Sequence, residues 1–290
     1  MKPARFDYFD PRSLEEALAL LDRHDGDAKV IAGGQSLMPL LNMRLARPAV
    51  LVDLNRIEGS GYVRAWNGGV AIGMTARQRS LHRDPLVTAR FPIMAEAALS
   101  IGHPQIRSRG TVCGSLAHAD PAAEIPALAL ALDAEMIASS SKGQRTVPAA
   151  EFFVGFLTTA LAPNEVLSEV RFPAPEPDMA WSFTEVSRRH GDFALVGAVA
   201  GLALDPDRAA IARARLVYFG VGPTPQRVAD AERALVGQPP GDRAFADAGA
   251  VVSDQLDPED DLHASAAYRR SVAGALTRRT LSQAWQKLAQ

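Results

Sequence analysis

The chain has 290 residues, 47% hydrophobic and 22% charged, the composition of an ordinary globular protein long enough for about two or three lobes. Its 31 Lys and Arg against 33 Asp and Glu leave a net charge of −2, which supplies no basic field for nucleic acid or anionic lipid. A single cysteine, Cys113, excludes an intrachain disulfide, a four-thiolate iron–sulfur cluster and a cysteine-rich zinc site, so any iron–sulfur chemistry belongs to a partner.

The run Met1–Asp7 carries no apolar core of a signal segment, and the longest apolar stretches, near 125–132 and 193–204, are too short to cross a bilayer. The expectation is a cytoplasmic protein with no transmembrane segment. Ser13-Leu14-Glu15-Glu16 has the capping-box spacing, and Leu14, Ala17, Leu18 and Leu21 share one helical face, so a helix is predicted to end near Asp25-Gly26. Lys29–Ala32 reads as a short buried strand entering Gly33-Gly34, followed by helical spacing over Leu37–Leu45 with Pro39 in the first turn. Val50–Leu54 and Val70–Met74 read as strands, the latter after the turn Asn67-Gly68-Gly69. Phe91–Ile101 reads as a helix closed by Gly102. Asp120-Pro121 suits a cap and first turn, with Pro126 either kinking that helix or opening a later one. Three prolines in Phe172–Pro177 mark a linker, placing a domain boundary near Pro175. Beyond it, Trp181–Val186 and Arg215–Val221 read as strands, and Gln226–Val236 and His263–Leu288 as helices.

Two segments carry the candidate chemistry. The first, Lys29-Val30-Ile31-Ala32-Gly33-Gly34-Gln35-Ser36-Leu37, is a strand, a glycine turn and a helix start, where successive amides can converge on an anion. It has neither the spacing of the Rossmann dinucleotide fingerprint nor that of a Walker loop. The second, Gly110-Thr111-Val112-Cys113-Gly114-Ser115, adds the hydroxyls of Thr111 and Ser115. Each alone reads equally as a structural turn. Together they suit one long ligand, such as a dinucleotide with a pyrophosphate and a large ring system. Cys113 reads as a small buried residue and not as a nucleophile. His103 and His118 flank the second segment without a metal-ligand spacing, so no metal site is expected. Asp120 and Glu124, four residues apart, would share a helix face.

In order along the chain, Ala32–Leu37, Ile106–Thr111 and Gly114–Pro126 resemble the FAD-binding medium subunit of molybdenum hydroxylases, as in bacterial carbon monoxide dehydrogenase and the flavin module of xanthine dehydrogenase. Ser187-Arg188-Arg189-His190-Gly191-Asp192-Phe193-Ala194 is similar to a further segment of that family. The resemblance runs from Phe6 to about Leu281. It implies an α+β fold: a two-lobed FAD-binding domain of the vanillyl-alcohol-oxidase type over residues 1–175 (lobes about 1–55 and 56–175) and a small α+β C-terminal domain over 176–290. It implies that Ala32–Ser36 wrap the FAD pyrophosphate, that Thr111–Ser115 close on it, that Ala117, His118 and Glu124 line the ribityl and flavin region, and that Phe193 approaches the ring. Cys113 stands where the family usually has glycine, and Thr184 or Glu185 where it has a lysine. No catalytic acid, base or nucleophile is nominated. The implied role is electron transfer within a heterotrimer: a small subunit with two iron–sulfur clusters, a large molybdopterin-binding subunit and this chain, paired into a dimer of heterotrimers. A stand-alone FAD-dependent oxidase and an interaction protein that has lost FAD are the alternatives. The substrate and the final electron acceptor are not encoded in these residues.

Overall fold

Ser13 opens the first helix as its spacing predicts: its hydroxyl accepts the Glu16 amide, while the Glu16 carboxylate accepts from Arg12. Helix α1 (Leu14–His24) ends where Asp25 turns left-handed. This computed structural model describes residues 2–288; Met1, Ala289 and Gln290 lie outside them. Strands β1 (Asp7–Phe9), β2 (Ala28–Ile31) and β3 (Val50–Asp53) form a parallel sheet in the order β1-β3-β2. Helix α2 (Leu37–Asn42) follows β2 and is shorter than the predicted 37–45, because Arg44 adopts a left-handed φ of 61°. The carboxyl ends of β2 and β3 are adjacent, with Ile31 paired to Asp53.

The second lobe is an antiparallel sheet of β4 (Val63–Trp66), β5 (Gly69–Gly73), β6 (Glu135–Ser140), β7 (Gly143–Pro148) and β10 (Val166–Phe172), ordered β4-β5-β10-β6-β7. Strands β8 (Phe153–Gly155) and β9 (Thr158–Thr159) make a separate hairpin. Helices α3 (Ser80–Arg83), α4 (Pro85–Arg90), α5 (Pro92–Ala98), α6 (Pro104–Arg109), α7 (Val112–His118), α8 (Glu124–Ala131) and α9 (Ala149–Phe152) complete the lobe. Two readings change here. Gly110–Ser115 is not a turn throughout: Thr111 caps α7 by accepting the Gly114 amide. Asp120 caps no helix; its carboxylate accepts the Ala122 amide in a turn, and Pro126 sits in the first turn of α8. Asp120 and Glu124 therefore share no helix.

The C-terminal part is a sheet of β11 (Ala180–Ser187), β12 (Ala194–Leu204), β13 (Ile211–Phe219) and β14 (Gln226–Arg227), in that order, with α10 (Ala229–Leu235), α11 (Asp242–Gln255) and α12 (Ala266–Leu288). Both faces of this sheet are covered. Val199, Val217 and Phe219 join the core of the first two lobes, whereas Ala198, Ala200 and Tyr218 pack with Phe245 and Leu276. This double burial explains why β12 is an almost unbroken apolar run. Arg215 grips Asp133 with two bonds of 2.7 and 2.8 Å, and the Gly220 amide donates to Pro121 O at 2.8 Å, fastening the sheet to the α8 region. Among the described residues no helix is long and apolar enough to cross a membrane.

Candidate functional site

The two glycine segments meet. A Cβ built on Gly33 would stand 2.6 Å from both Arg109 O and Gly110 Cα, so only glycine permits this approach. Gly34 takes φ 71°, turning the chain out of β2 and into α2. Among the described residues, no protein acceptor takes the amides of Gly34, Gln35, Ser36 or Leu37, while the Met38 amide already closes on Gly34 O. Successive free amides at a sharp turn form a concave donor set for an anion. Gly34 and Gln35 of this turn line a cleft of about 520 Å³, together with Ile31, Ala32, Gly33, Asp53, Asn55 and Arg109.

A hydrogen-bonded frame holds this turn in place. Tyr8 donates to Asp53 Oδ2 at 2.6 Å, and Asn55 Nδ2 donates to Asp53 Oδ1 and to Ala32 O at 2.7 Å. Arg77 then donates to Asn55 Oδ1 and to Arg109 O, both at 2.6 Å, tying the first segment's frame to the second. The bond to Asp53, with some burial, pushes the Tyr8 hydroxyl up to about 12. Burial, then the positive charge of Arg109, lowers the Arg77 guanidinium from its ordinary value. Sequence reasoning missed Asp53, Asn55 and Arg77 as site residues. The available signal was topological: ligands gather at the carboxyl ends of parallel strands, and Asp53 ends β3 beside Ile31 of β2.

The remaining candidates take different positions. Lys29 is exposed and Val30 half-buried on β2; Leu37 begins α2. Val112 and Cys113 point into the core, and neither they nor Thr111, Gly114 and Ser115 line the cleft. The Val112 amide donates to Ala76 O and the Gly114 amide to Thr111 Oγ1, so those two donors are engaged. The Cys113 side chain is accommodated because it faces inward, with Sγ 3.7 Å from Ile72 O; burial drives its thiol far above the ordinary range, which leaves it inert. Ala117 is exposed. His118 is half-buried, and burial lowers its imidazole from the ordinary value, with Asp120 opposing and Lys29 reinforcing that shift. Glu124, 7% exposed at the start of α8, is pushed up to about 8 by burial, and the charges of Glu185 and Asp120 act in the same direction. Glu185, on β11, rises to about 7 through burial. Phe193 lies apart from the cleft, 66% exposed on the loop between β11 and β12. That loop folds onto the second lobe at Gly191, where a Cβ would lie 2.5 Å from the His103 ring.

The turn geometry therefore forms a concave cradle of free backbone donors suited to an anion, built without a Rossmann unit. The free amides and the Cβ-forbidding contact at Gly33 fit the pyrophosphate of FAD.

Comparison with known proteins gives that cofactor and the family. Residues 4–175 match the model of the FAD binding domain in molybdopterin dehydrogenase, and residues 181–284 match the CO dehydrogenase flavoprotein C-terminal domain. The chain belongs to the family of FAD-binding medium subunits of molybdenum hydroxylases. It is 43% identical to 6-hydroxypseudooxynicotine dehydrogenase complex subunit alpha of Paenarthrobacter nicotinovorans, over 98% of this chain and 96% of that one. It is 36% identical to the carbon monoxide dehydrogenase medium chain of Hydrogenophaga pseudoflava over the whole of both. The structure of quinoline 2-oxidoreductase from Pseudomonas putida 86 contains a chain that superposes with a TM-score of 0.95 at 37% identity, covering all of both chains. The resemblance read from the glycine segments and the α+β fold it implied are thus confirmed.

Proposed function

We propose that this chain is the electron-transfer subunit of a heterotrimeric molybdenum hydroxylase. In this reading a large molybdopterin subunit oxidises the substrate, and a small subunit with two iron–sulfur clusters delivers single electrons to this chain, which passes them to an external acceptor. The observation that carries the proposal is the phosphate cradle at Gly33–Ser36 in a chain with one buried cysteine. The fold has a place for a flavin, and its sequence has no thiolates for a cluster. When bound, FAD supplies the ability to collect electrons singly and release them in pairs. The protein binds and orients it. Gly34, Gln35, Ser36 and Leu37 would offer amides to the pyrophosphate, and Arg109 adds positive charge at the rim. His118 and Glu124, both shifted by burial toward their neutral forms, would meet the polar ribityl chain. The Arg77 bond to Arg109 O joins the chain entering Gly110–Ser115 to the frame around the cradle. We place the domain boundary near Pro175 and the assembly in the cytoplasm, as a dimer of heterotrimers.

Co-expression with a small iron–sulfur subunit and a large molybdopterin subunit tests this. The three chains should elute together, and substrate should bleach the flavin of the complex but not of this chain alone. Substrate oxidation by the isolated, metal-free chain would favour an independent flavin oxidase.

A further inference from the structure

On the other side of α6 from the cradle lies a second pocket, of about 370 Å³, lined by Arg79, His82, Arg83, Gln105, Arg107 and Ser108 together with Pro104. Its lining holds three arginines and a histidine and no carboxylate. None of the three arginines forms an ion pair among the described residues. Arg107 is 7% exposed, and its Nη1 donates to Ile101 O at 2.7 Å and to Gly102 O at 3.1 Å. Its Nε and Nη2 donate to no protein acceptor among the described residues, and the buried His82 Nδ1 also has no partner. The carboxylate next along the chain, Asp84, is turned away to accept the Leu86 and Val87 amides as the cap of α4.

Such a grouping is costly unless something negative joins it. A buried guanidinium is stable only when its donors are satisfied, and like charges gathered in one pocket repel. Arginine forks also match the geometry of an oxyanion better than lysine does. We propose that Arg79, His82, Arg83 and Arg107 form an anion site for a phosphoryl group, distinct from the FAD cradle. The volume admits inorganic phosphate or the phosphate end of a nucleotide-sized ligand. Burial, then Arg107 and Arg83, holds the His82 imidazole below its ordinary value. A bound anion would oppose both arginines and raise it.

The test uses the FAD-loaded chain, so that the cradle is filled. Imidazole NMR follows His82 over pH, its signal assigned by loss in His82→Gln. Inorganic phosphate and adenosine 5′-monophosphate are added separately at constant ionic strength, with chloride as control. The expected result is an upward shift of the His82 midpoint with one or both phosphate probes and not with chloride. Arg79 and Arg83 are exposed, so Arg79→Gln/Arg83→Gln should fold normally and bind at least about tenfold more weakly, as removal of charge-assisted bonds implies. Response to inorganic phosphate identifies a free ion as sufficient; response to the monophosphate ester alone identifies a nucleotide-like ligand. No shift with either probe, or equal affinity in the double variant, overturns the site.

Discussion

Gly33 lies so close to Gly110 that a Cβ on residue 33 would stand 2.6 Å from the Gly110 Cα. The contact joins two segments 77 positions apart and explains why residue 33 is glycine; Gly110 is constrained separately, since a Cβ there would stand 2.5 Å from Gln78 Oε1. The same approach sets the wall of the cleft against the turn whose amides are free.

Gly33→Ala should pry the segments apart. Overpacking of this kind costs about 1–3 kcal/mol. The variant is expected to fold, by circular dichroism, but to retain much less flavin than the parent by visible absorbance. Full flavin occupancy would show that the close approach is not needed for the cradle.

Gly34→Val tests the turn itself. A Cβ there would meet Ile31 Cδ1 and Met38 Cγ only at 3.4 Å, so the main penalty is φ 71°, about 1–2 kcal/mol for a residue with a Cβ. Titration of the apoprotein with FAD should show a steep loss of affinity, with Gly34→Ala milder. Equal affinity in all three proteins would mean that the turn is structural only.

Much of this architecture is legible in the sequence. The Ser13 cap, strand β3, and strands β11 and β13 follow from local spacing and apolar runs. Strands β4 and β7 do not, because β7 is largely exposed and β4 half so, which leaves no apolar alternation to read. Helix α7 is hidden by β-branched Thr111 and Val112 and by Gly114, all weak helix formers; its identity comes from the Thr111 cap and tertiary packing. At the site, the glycine turns are visible by composition, but Asn55 and Arg77 act through contacts across 22 and 32 positions that no local pattern records.

Arg77→Ala removes both of those bonds. The carbonyl of Arg109 and the amide of Asn55 lose a charged donor, a loss of about 1.5–3 kcal/mol per bond where it is not replaced by water. A lower melting temperature for the apoprotein and weaker FAD binding are expected together. A variant that melts lower yet binds FAD normally would separate the frame from the cradle.

Glu124 and Glu185 give a pH dependence of defined sign. Their ordinary value is 4.5, and folding raises them to about 8 and about 7. Between those values the unfolded chain has released protons that the folded chain still holds, so the contribution of these two groups is fully present below 4.5 and is lost as pH rises toward 8. Thermal melts of the apoprotein at pH 5 and pH 8.5 should differ less in Glu124→Gln than in the parent. An unchanged difference would show that Glu124 ionises normally in the fold.

The free amides of Gly34, Gln35, Ser36 and Leu37 are expected to bind the pyrophosphate of noncovalently held FAD. Apoprotein titrated in parallel with FAD and FMN, followed by acid precipitation of the FAD complex, tests it most directly. FAD should bind at least about tenfold more tightly than FMN, which lacks the pyrophosphate, and all flavin should enter the acid supernatant. Equal binding of FMN, or flavin remaining on the precipitated protein, would contradict it.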